Sequence, residues 1–421
     1  MTSLAKDTPA HDLKVVILND SSVAKGGATG LAVLSARLLR ERGVPTTFIA
    51  GDAGDDGALA AQGVVLVAMG QKLLLDAGAL RVMKRGLYNS EVRDRVAAYV
   101  AKYDTPGTIY HLHGWSRILS PAVFDALKPV AHRTFIHAHD YFLACPNGSY
   151  FDFRKEEVCT RVPLSSSCLT TACDRRALHH KLWRSARSGV LKRTFAQSYP
   201  WAGVLALHPG MHAPLVRAGL PEDRISIVRN PARALTNTRI KAEANKTFCF
   251  IGRVVAAKGV RMLCAAASQA DVPLKVIGDG DLLEELRATN PNVEFTGWVD
   301  QTEMSSHLMD ARALVMPSRT PEPFGLVAAE ASLSGLPVIL SEQALLSQDF
   351  KAQGLGFPCS TQSVAALAET LKGVANLSIP DIARLSKAAH SGEGGIASSY
   401  DAWISELLGA YQKALAYDRA A

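Results

Sequence analysis

The stretch KVVILNDSSVAKGGATGLAVLSARLLRERGVPTTFIA, Lys14 to Ala50, decides the fold. Lys14 to Leu18 is a short apolar run rich in β-branched side chains, which suit a buried, pleated strand. Gly26-Gly27 follows, then an apolar-periodic stretch from Leu31 to Leu39 that stops before Gly43. Thr46 to Ala50 is apolar again. Strand, glycine loop, helix and strand make a βαβ unit, which implies a parallel sheet covered on both faces. Further apolar runs recur at 63–68, 108–112, 133–138 and 204–207, and a helical pattern covers Glu91 to Tyr103.

A second series starts at Lys246. Apolar runs at 248–252, 274–277, 293–296, 313–316 and 337–340 alternate with helical patterns at 260–269, 281–288 and 325–333. The spacing predicts a second doubly wound domain. Asn230-Pro231 and the polar stretch 236–245 mark a hinge. The expected domains are therefore 1–232, with a turn-rich insertion at about 141–175, and 233–395. Residues 396–421 hold a last amphipathic helix over Ala402 to Ala416.

Composition narrows the class. In 421 residues, 48% are hydrophobic and 20% charged, which excludes disordered, collagen-like and coiled-coil chains. No apolar run reaches 18 residues, and Met1 to Asp12 lacks the apolar core of a secretory signal, so a cytoplasmic protein is expected. Seven cysteines, an odd number, fit a reducing compartment. The net charge of +7 is uneven: residues 1–232 carry 29 basic and 19 acidic side chains, and 233–421 carry 17 and 20. The basic half meets something anionic. Zinc-finger spacing, RNP patterns and basic tails are missing, so nucleic acid is not the expected partner.

Two constellations carry the chemistry. In Pro317–Glu330, Glu322 lies in a loop after a strand and Glu330 lies in the following helix. Carboxylates suit vicinal hydroxyls, and the backbone N–H groups at Phe324 and Gly325 favour an anion at a helix start. In Phe250–Gly259, Arg253 leaves a strand end after Gly252 and Lys258 precedes a helix, two cations placed to hold a diphosphate. Gly26 and Gly27, with Lys25 beside them, give a third and weaker anion site.

Gly-Arg-x4-Lys-Gly at 252–259, Gly278-Asp279-Gly280, Gly297-Trp298-Val299 and Glu322-x7-Glu330 occur in that order. This arrangement resembles family 4 of the retaining glycosyltransferases. The resemblance implies the GT-B fold: two Rossmann-like, doubly wound parallel-sheet domains facing a cleft, with the C-terminal helix packing back on the N-terminal domain. It implies a UDP- or GDP-sugar donor, retention of configuration and no catalytic metal. Arg253 and Lys258 then hold the diphosphate, Glu330 the ribose, and Glu322 the sugar hydroxyls. Trp298 and Val299 lie near the base. Gly26 and Gly27 face the diphosphate and acceptor, and His113 the sugar or leaving phosphate.

Three features depart from that pattern. His139-Asp140 ends a strand and offers acceptor contacts or proton transfer, or only a local cap. Cys145, Cys159, Cys168 and Cys173 are separated by 13, 8 and 4 residues; they are candidates for a structural zinc ion or are independent thiols. Residues 154–193 hold ten Lys/Arg against three Asp/Glu. Within them, 175–193 is either a basic amphipathic helix lying on an anionic leaflet or an ordinary helix packing Leu182 and Trp183 into the core.

The expected function is a retaining transfer of a hexose-type sugar to a hydroxyl acceptor. The acceptor is expected to be a polyprenyl-diphosphate-linked glycan of surface polysaccharide assembly, met at the inner face of the plasma membrane. The alternatives are a GT-B nucleotide-sugar epimerase and a non-catalytic sugar-nucleotide-binding scaffold.

Overall fold

The computed structural model describes residues 12–24, 26–72, 79–300 and 302–420. Lys25 and the N-terminal stretch before Asp12 lie outside them. The chain forms two compact units. The first is Met1–Gly148, Thr160–Val228 and Asp401–Ala421; the second is Ser149–Cys159 and Arg229–Tyr400. The divisions fall at 228/229 and 400/401, and part of the insertion, 149–159, groups with the second unit.

The strands are β1 (Lys14–Asn19), β2 (Thr46–Ala50), β3 (Val65–Ala68), β4 (Thr108–Leu112), β5 (Thr134–Ala138), β6 (Phe151–Asp152), β7 (Glu157–Val158), β8 (Gly203–Ala206) and β9 (Ile225–Ile227). The second unit continues with β10 (Thr247–Ile251), β11 (Leu274–Ile277), β12 (Glu294–Gly297), β13 (Ala311–Met316), β14 (Val338–Ser341) and β15 (Gly356–Cys359).

In the first unit the strands run in the order β3-β2-β1-β4-β5-β8-β9, every neighbouring pair parallel. Val15, Ile17 and Leu18 of β1 are nearly or fully buried, as are Ile109, Tyr110 and Leu112 of β4. A central parallel strand covered by helices on both faces has no solvent side, which is why these runs are apolar without alternation. The helix Gly27–Glu41 buries Leu31, Leu38 and Leu39 on one face. The final helix, Tyr400–Ala420, buries Trp403, Ile404, Leu407 and Tyr411.

In the second unit the order is β12-β11-β10-β13-β14-β15, again parallel throughout. Each apolar run of the sequence falls within two residues of an observed strand, while β6, β7 and β9 match no run. The insertion carries an antiparallel β6–β7 pair and a short helix, Ser166–Thr170, instead of featureless loop. The edge strand β15 and the helices Val364–Ala375 and Ile379–Ser391 have no counterpart in the sequence reading.

Candidate active site

In the second unit, β10 lies between β11 and β13. The chain leaves β10 toward β11 and later crosses back to β13, so the strand order reverses between β10 and β13. Ligands of open α/β sheets bind beyond the carboxyl ends of strands at such a point. Gly252, Arg253 and Lys258 follow β10; Glu322, Phe324, Gly325 and Glu330 follow β13. One topological feature thus brings together two segments about 70 residues apart in the chain.

Lys258 Nζ donates to both oxygens of Glu322, at 2.8 and 2.6 Å. Both side chains keep about a fifth of their surface exposed, 21% and 22%. The sequence reading gave them separate tasks; the structure makes each the other's counter-ion. Arg253 is exposed and makes no side-chain hydrogen bond or ion pair among the described residues. Arg319 pairs with Glu156 of the β6–β7 turn. Glu330 is half-buried, carries no side-chain partner among the described residues, and is pushed up to about 7 by burial. A carboxylate withdrawn from water without a partner gains most from hydroxyl donors brought by a ligand.

Gly325 sits at φ +68, opens the helix Leu326–Leu333, and leaves that helix start without a side-chain cap. The N–H groups there are therefore available to a ligand. Phe324 is buried at 3% exposure, so its ring anchors the loop. Trp298 is 73% exposed, with Val299 half-buried beside it. Gly278 follows β11 at φ +140, and a Cβ there would lie 1.9 Å from the Gly252 carbonyl oxygen. The Gly278-Asp279-Gly280 motif is thus explained by close backbone packing of two strand ends.

The first unit reverses its strand order between β1 and β4. Gly26 caps the helix Gly27–Glu41 in extended conformation, φ 178, with no side-chain cap. A Cβ on Gly26 or Gly27 would meet no protein atom within 4 Å. His113 follows β4, and His139 and Asp140 follow β5. His113 Nδ1 lies 3.0 Å from His139 Nε2, and its Nε2 lies 3.5 Å from Ser35 Oγ. Both nitrogens of His113 therefore face protein groups.

Behind them, His111 and His137 complete a two-by-two array of rings. His137 Nδ1 lies 3.2 Å from His111 Nε2, and His111 Nδ1 lies 2.6 Å from the Tyr411 hydroxyl. Burial holds all four rings neutral: His111 and His139 fall to about 3, and His113 and His137 lie well below the usual value. Burial raises Asp140 to about 6, against the Phe142 N–H that donates to it.

Cys145, Cys168 and Cys173 are buried in the first unit, while Cys159 belongs to the second. Lys181 is fully buried, and its ammonium donates to Cys168 Sγ and Cys173 Sγ, each at 3.3 Å. Asn147 accepts from Cys145 Sγ at 3.1 Å and donates toward Cys173 Sγ at 3.6 Å.

The helix Leu178–Thr194 overturns the expectation that Leu182 packs into the core. Its buried side chains are Lys181, Ser185, Arg187, Leu191 and Thr194. Arg187 donates to the carbonyls of Gly86 and Ser116 and stacks over Trp115. Leu178 and Leu182 are exposed, at 48% and 55%, as is Met83. Trp183 Nε1 donates to the Met83 carbonyl instead of entering the core. Partners for the cations decide which face turns inward, and hydropathy alone does not reveal them.

Sequence reasoning missed Asp20, Lys181, Arg187 and Tyr411. Asp20 is buried and accepts from the N–H groups of Arg117, Ile118 and Leu119, which fixes the loop after β4. No local pattern marks these residues, since their partners lie 8 to 300 positions away.

Residues 245–376 match the model of the family described as "Glycosyl transferases group 1". The chain is 33% identical, over 148 residues, to an uncharacterized 41.2 kDa protein in the cps region of Klebsiella pneumoniae, covering 32% of this chain and 40% of that one. It is 28% identical over 292 residues to a glycogen synthase of Mycobacterium tuberculosis, covering 63% and 65%. The chain thus spans less than two thirds of either curated relative. The crystal structure of Anabaena Alr3699/HepE in complex with UDP-glucose superposes with a TM-score of 0.65 at 16% identity, over 94% of this chain and 99% of that one. The chain has the GT-B fold of solved glycosyltransferases, and its residues 245–376 match the glycosyl transferases group 1 model.

Proposed function

We propose that the chain transfers a hexose-type sugar from a UDP- or GDP-sugar to a hydroxyl acceptor with retention of configuration. The observation that carries this reading is the group at the β10/β13 reversal: an unpaired Arg253, the Lys258–Glu322 pair, an uncapped helix start and an unpaired, half-buried Glu330. Arg253, Lys258 and the N–H groups at Phe324 and Gly325 hold the diphosphate, and their positive charge matters most as the diphosphate departs. Diphosphate binding draws Lys258 away from Glu322, which frees that carboxylate for the sugar hydroxyls. Glu330 takes the ribose, and Trp298 and Val299 lie along the base. A leaving-diphosphate oxygen removes the acceptor proton on the same face, so no protein nucleophile is required. The Anabaena structure with UDP-glucose supports the donor class.

On the first unit, Gly26 and Gly27 offer an open helix start to an anion, and His139 and Asp140 meet the acceptor. The reading extends to a polyprenyl-diphosphate-linked glycan of surface polysaccharide, met at the inner membrane face. Exposed Leu178 and Leu182 close in sequence to exposed Arg175 and Arg176 support contact with anionic lipid. No helix among the described residues is long and apolar enough to cross a membrane. The buried Lys181 ammonium beside Cys168 and Cys173 occupies the place a metal ion would take between those two sulfurs, so these thiols are read as a structural cluster around Lys181.

The deciding experiment incubates the purified protein with UDP- and GDP-sugars and a prenyl-diphosphate glycan, and resolves the anomeric configuration of the product. Sugar transfer with retention supports the reading. Isomerised donor, or tight nucleotide binding without turnover, overturns it.

A further inference from the structure

His111 lies on β4 with His113 just past its end, and His137 lies on β5 with His139 just past its end, at the same two-residue spacing. Residues two apart on a strand share a face, so adjacent parallel strands bring the four rings together. No chemistry proposed above uses His111 or His137. His137 is 2% exposed and its Nε2 has no hydrogen-bond partner among the described residues. A buried imidazole nitrogen left without a partner needs an explanation.

We propose that His111, His113 and His137 form a binding site for one divalent transition-metal cation of imidazole preference, such as Zn2+. Each ring offers one nitrogen, and the three nitrogens lie within 4.8 Å of one another. A tetrahedral ion with Zn–N bonds of about 2.0–2.1 Å needs nitrogens roughly 3.4 Å apart, so small ring rotations close the set. Outer groups are already in place. The Tyr411 hydroxyl holds His111 Nδ1, and His139 Nε2 holds His113 Nδ1, which leaves the Nε2 atoms of those rings toward His137 and Ser35. Ring-orienting partners of this kind accompany imidazole ligands in metal sites. His113 Nε2 has only a long contact to Ser35, whose hydroxyl is committed to the Ala32 carbonyl at 2.8 Å. Among the described residues, no Lys, Arg or carboxylate side chain bonds to any of the four rings. Three imidazoles leave a fourth position for water, hydroxide or a small anion, which offsets the charge of the buried ion.

The site is independent of the donor site on the second unit, and its test needs no turnover. Full-length protein stripped with chelator is titrated with Co2+ and with Zn2+. One equivalent of Co2+ is expected to give the visible ligand-field bands of a tetrahedral nitrogen site. Zn2+ is expected to raise the melting temperature by mass action. His137→Ala and His111→Gln are expected to abolish both responses, whereas Cys145→Ser and Cys168→Ser keep them. Absence of Co2+ bands in the wild type overturns the proposal. So does a near-ultraviolet thiolate band that survives in His137→Ala and disappears in Cys168→Ser, since it places the ion on sulfur. Should a histidine variant fail to fold, the wild-type cobalt spectrum alone separates nitrogen from sulfur ligation.

Discussion

The two sheets reverse their strand order in the same way and furnish the reversal with opposite chemistry. Beyond β10 and β13 lie charged groups: exposed Arg253, the Lys258–Glu322 pair and Glu330. At the ends of β4 and β5 lie four neutral rings, three of them buried, in contact with one another. The first arrangement keeps its charges where a polar ligand can claim them. The second has spent most of its polar atoms on itself. One backbone topology therefore fixes where a ligand goes, while burial and pairing fix what sort of ligand it is.

Substitutions can break or sharpen that contrast. Lys258→Ala and Glu322→Ala strike the charged side hardest. Each is expected to lower sugar transfer by at least about a hundredfold, the scale for losing one preorganised charged group, while the melting temperature changes little. Steady-state kinetics with a matched thermal melt check this; unchanged turnover in either variant removes the proposed site.

Glycines extend the comparison to the backbone. Gly278→Ala forces a Cβ against the Gly252 carbonyl in a left-handed backbone region and is expected to cost about 3 kcal/mol by denaturant unfolding. Gly26→Ala meets open space in extended backbone and is expected to change stability by less than about 0.5 kcal/mol. Any loss of turnover in Gly26→Ala then comes from a ligand and not from folding.

Tyr411→Phe removes the partner of a buried imidazole nitrogen and is expected to cost about 1–3 kcal/mol. Glu330→Gln tests the charged side through pH. Burial raises Glu330 above its unfolded value, so the folded state favours the protonated form. That contribution is complete below the unfolded value of 4.5 and is lost as pH rises through about 7. The wild type is expected to lose a few degrees of melting temperature across that window, and Glu330→Gln to lose less. Leu182→Glu gives the smallest effect on the fold, since the side chain is 55% exposed. It is expected to weaken binding to anionic vesicles at low salt and leave the melt unchanged.

The sequence displayed the strands well and the pairings poorly. Lys14 to Asn19 reads as a strand because every residue after Lys14 is buried, and burial on both faces leaves a continuous apolar run. The edge strand β15 contains Pro358, which weakens any strand reading although edges tolerate it. Arg253, Lys258, Glu322 and Glu330 stood out by type and spacing, yet the bidentate Lys258–Glu322 contact spans 64 residues. Only the crossover from β12 to β13 creates it. The helix Leu178–Thr194 misled through its periodicity. Its buried face is chosen by thiols and carbonyls that accept from Lys181 and Arg187, and those acceptors lie on other segments.

The hairpin at 151–158 lies within the N-terminal half of the sequence and inside the second unit. The chain accordingly passes from one unit to the other at 148/149, 159/160, 228/229 and 400/401. Neither unit is a continuous piece of polypeptide. A single proteolytic nick at any one of these junctions leaves the units covalently tied. A gene fragment begun at residue 229 encodes the segments 252–259 and 317–330 without the strand pair that carries the partner of Arg319. Domain exchange between relatives must therefore respect four junctions at once, which favours inheritance of the chain as a whole.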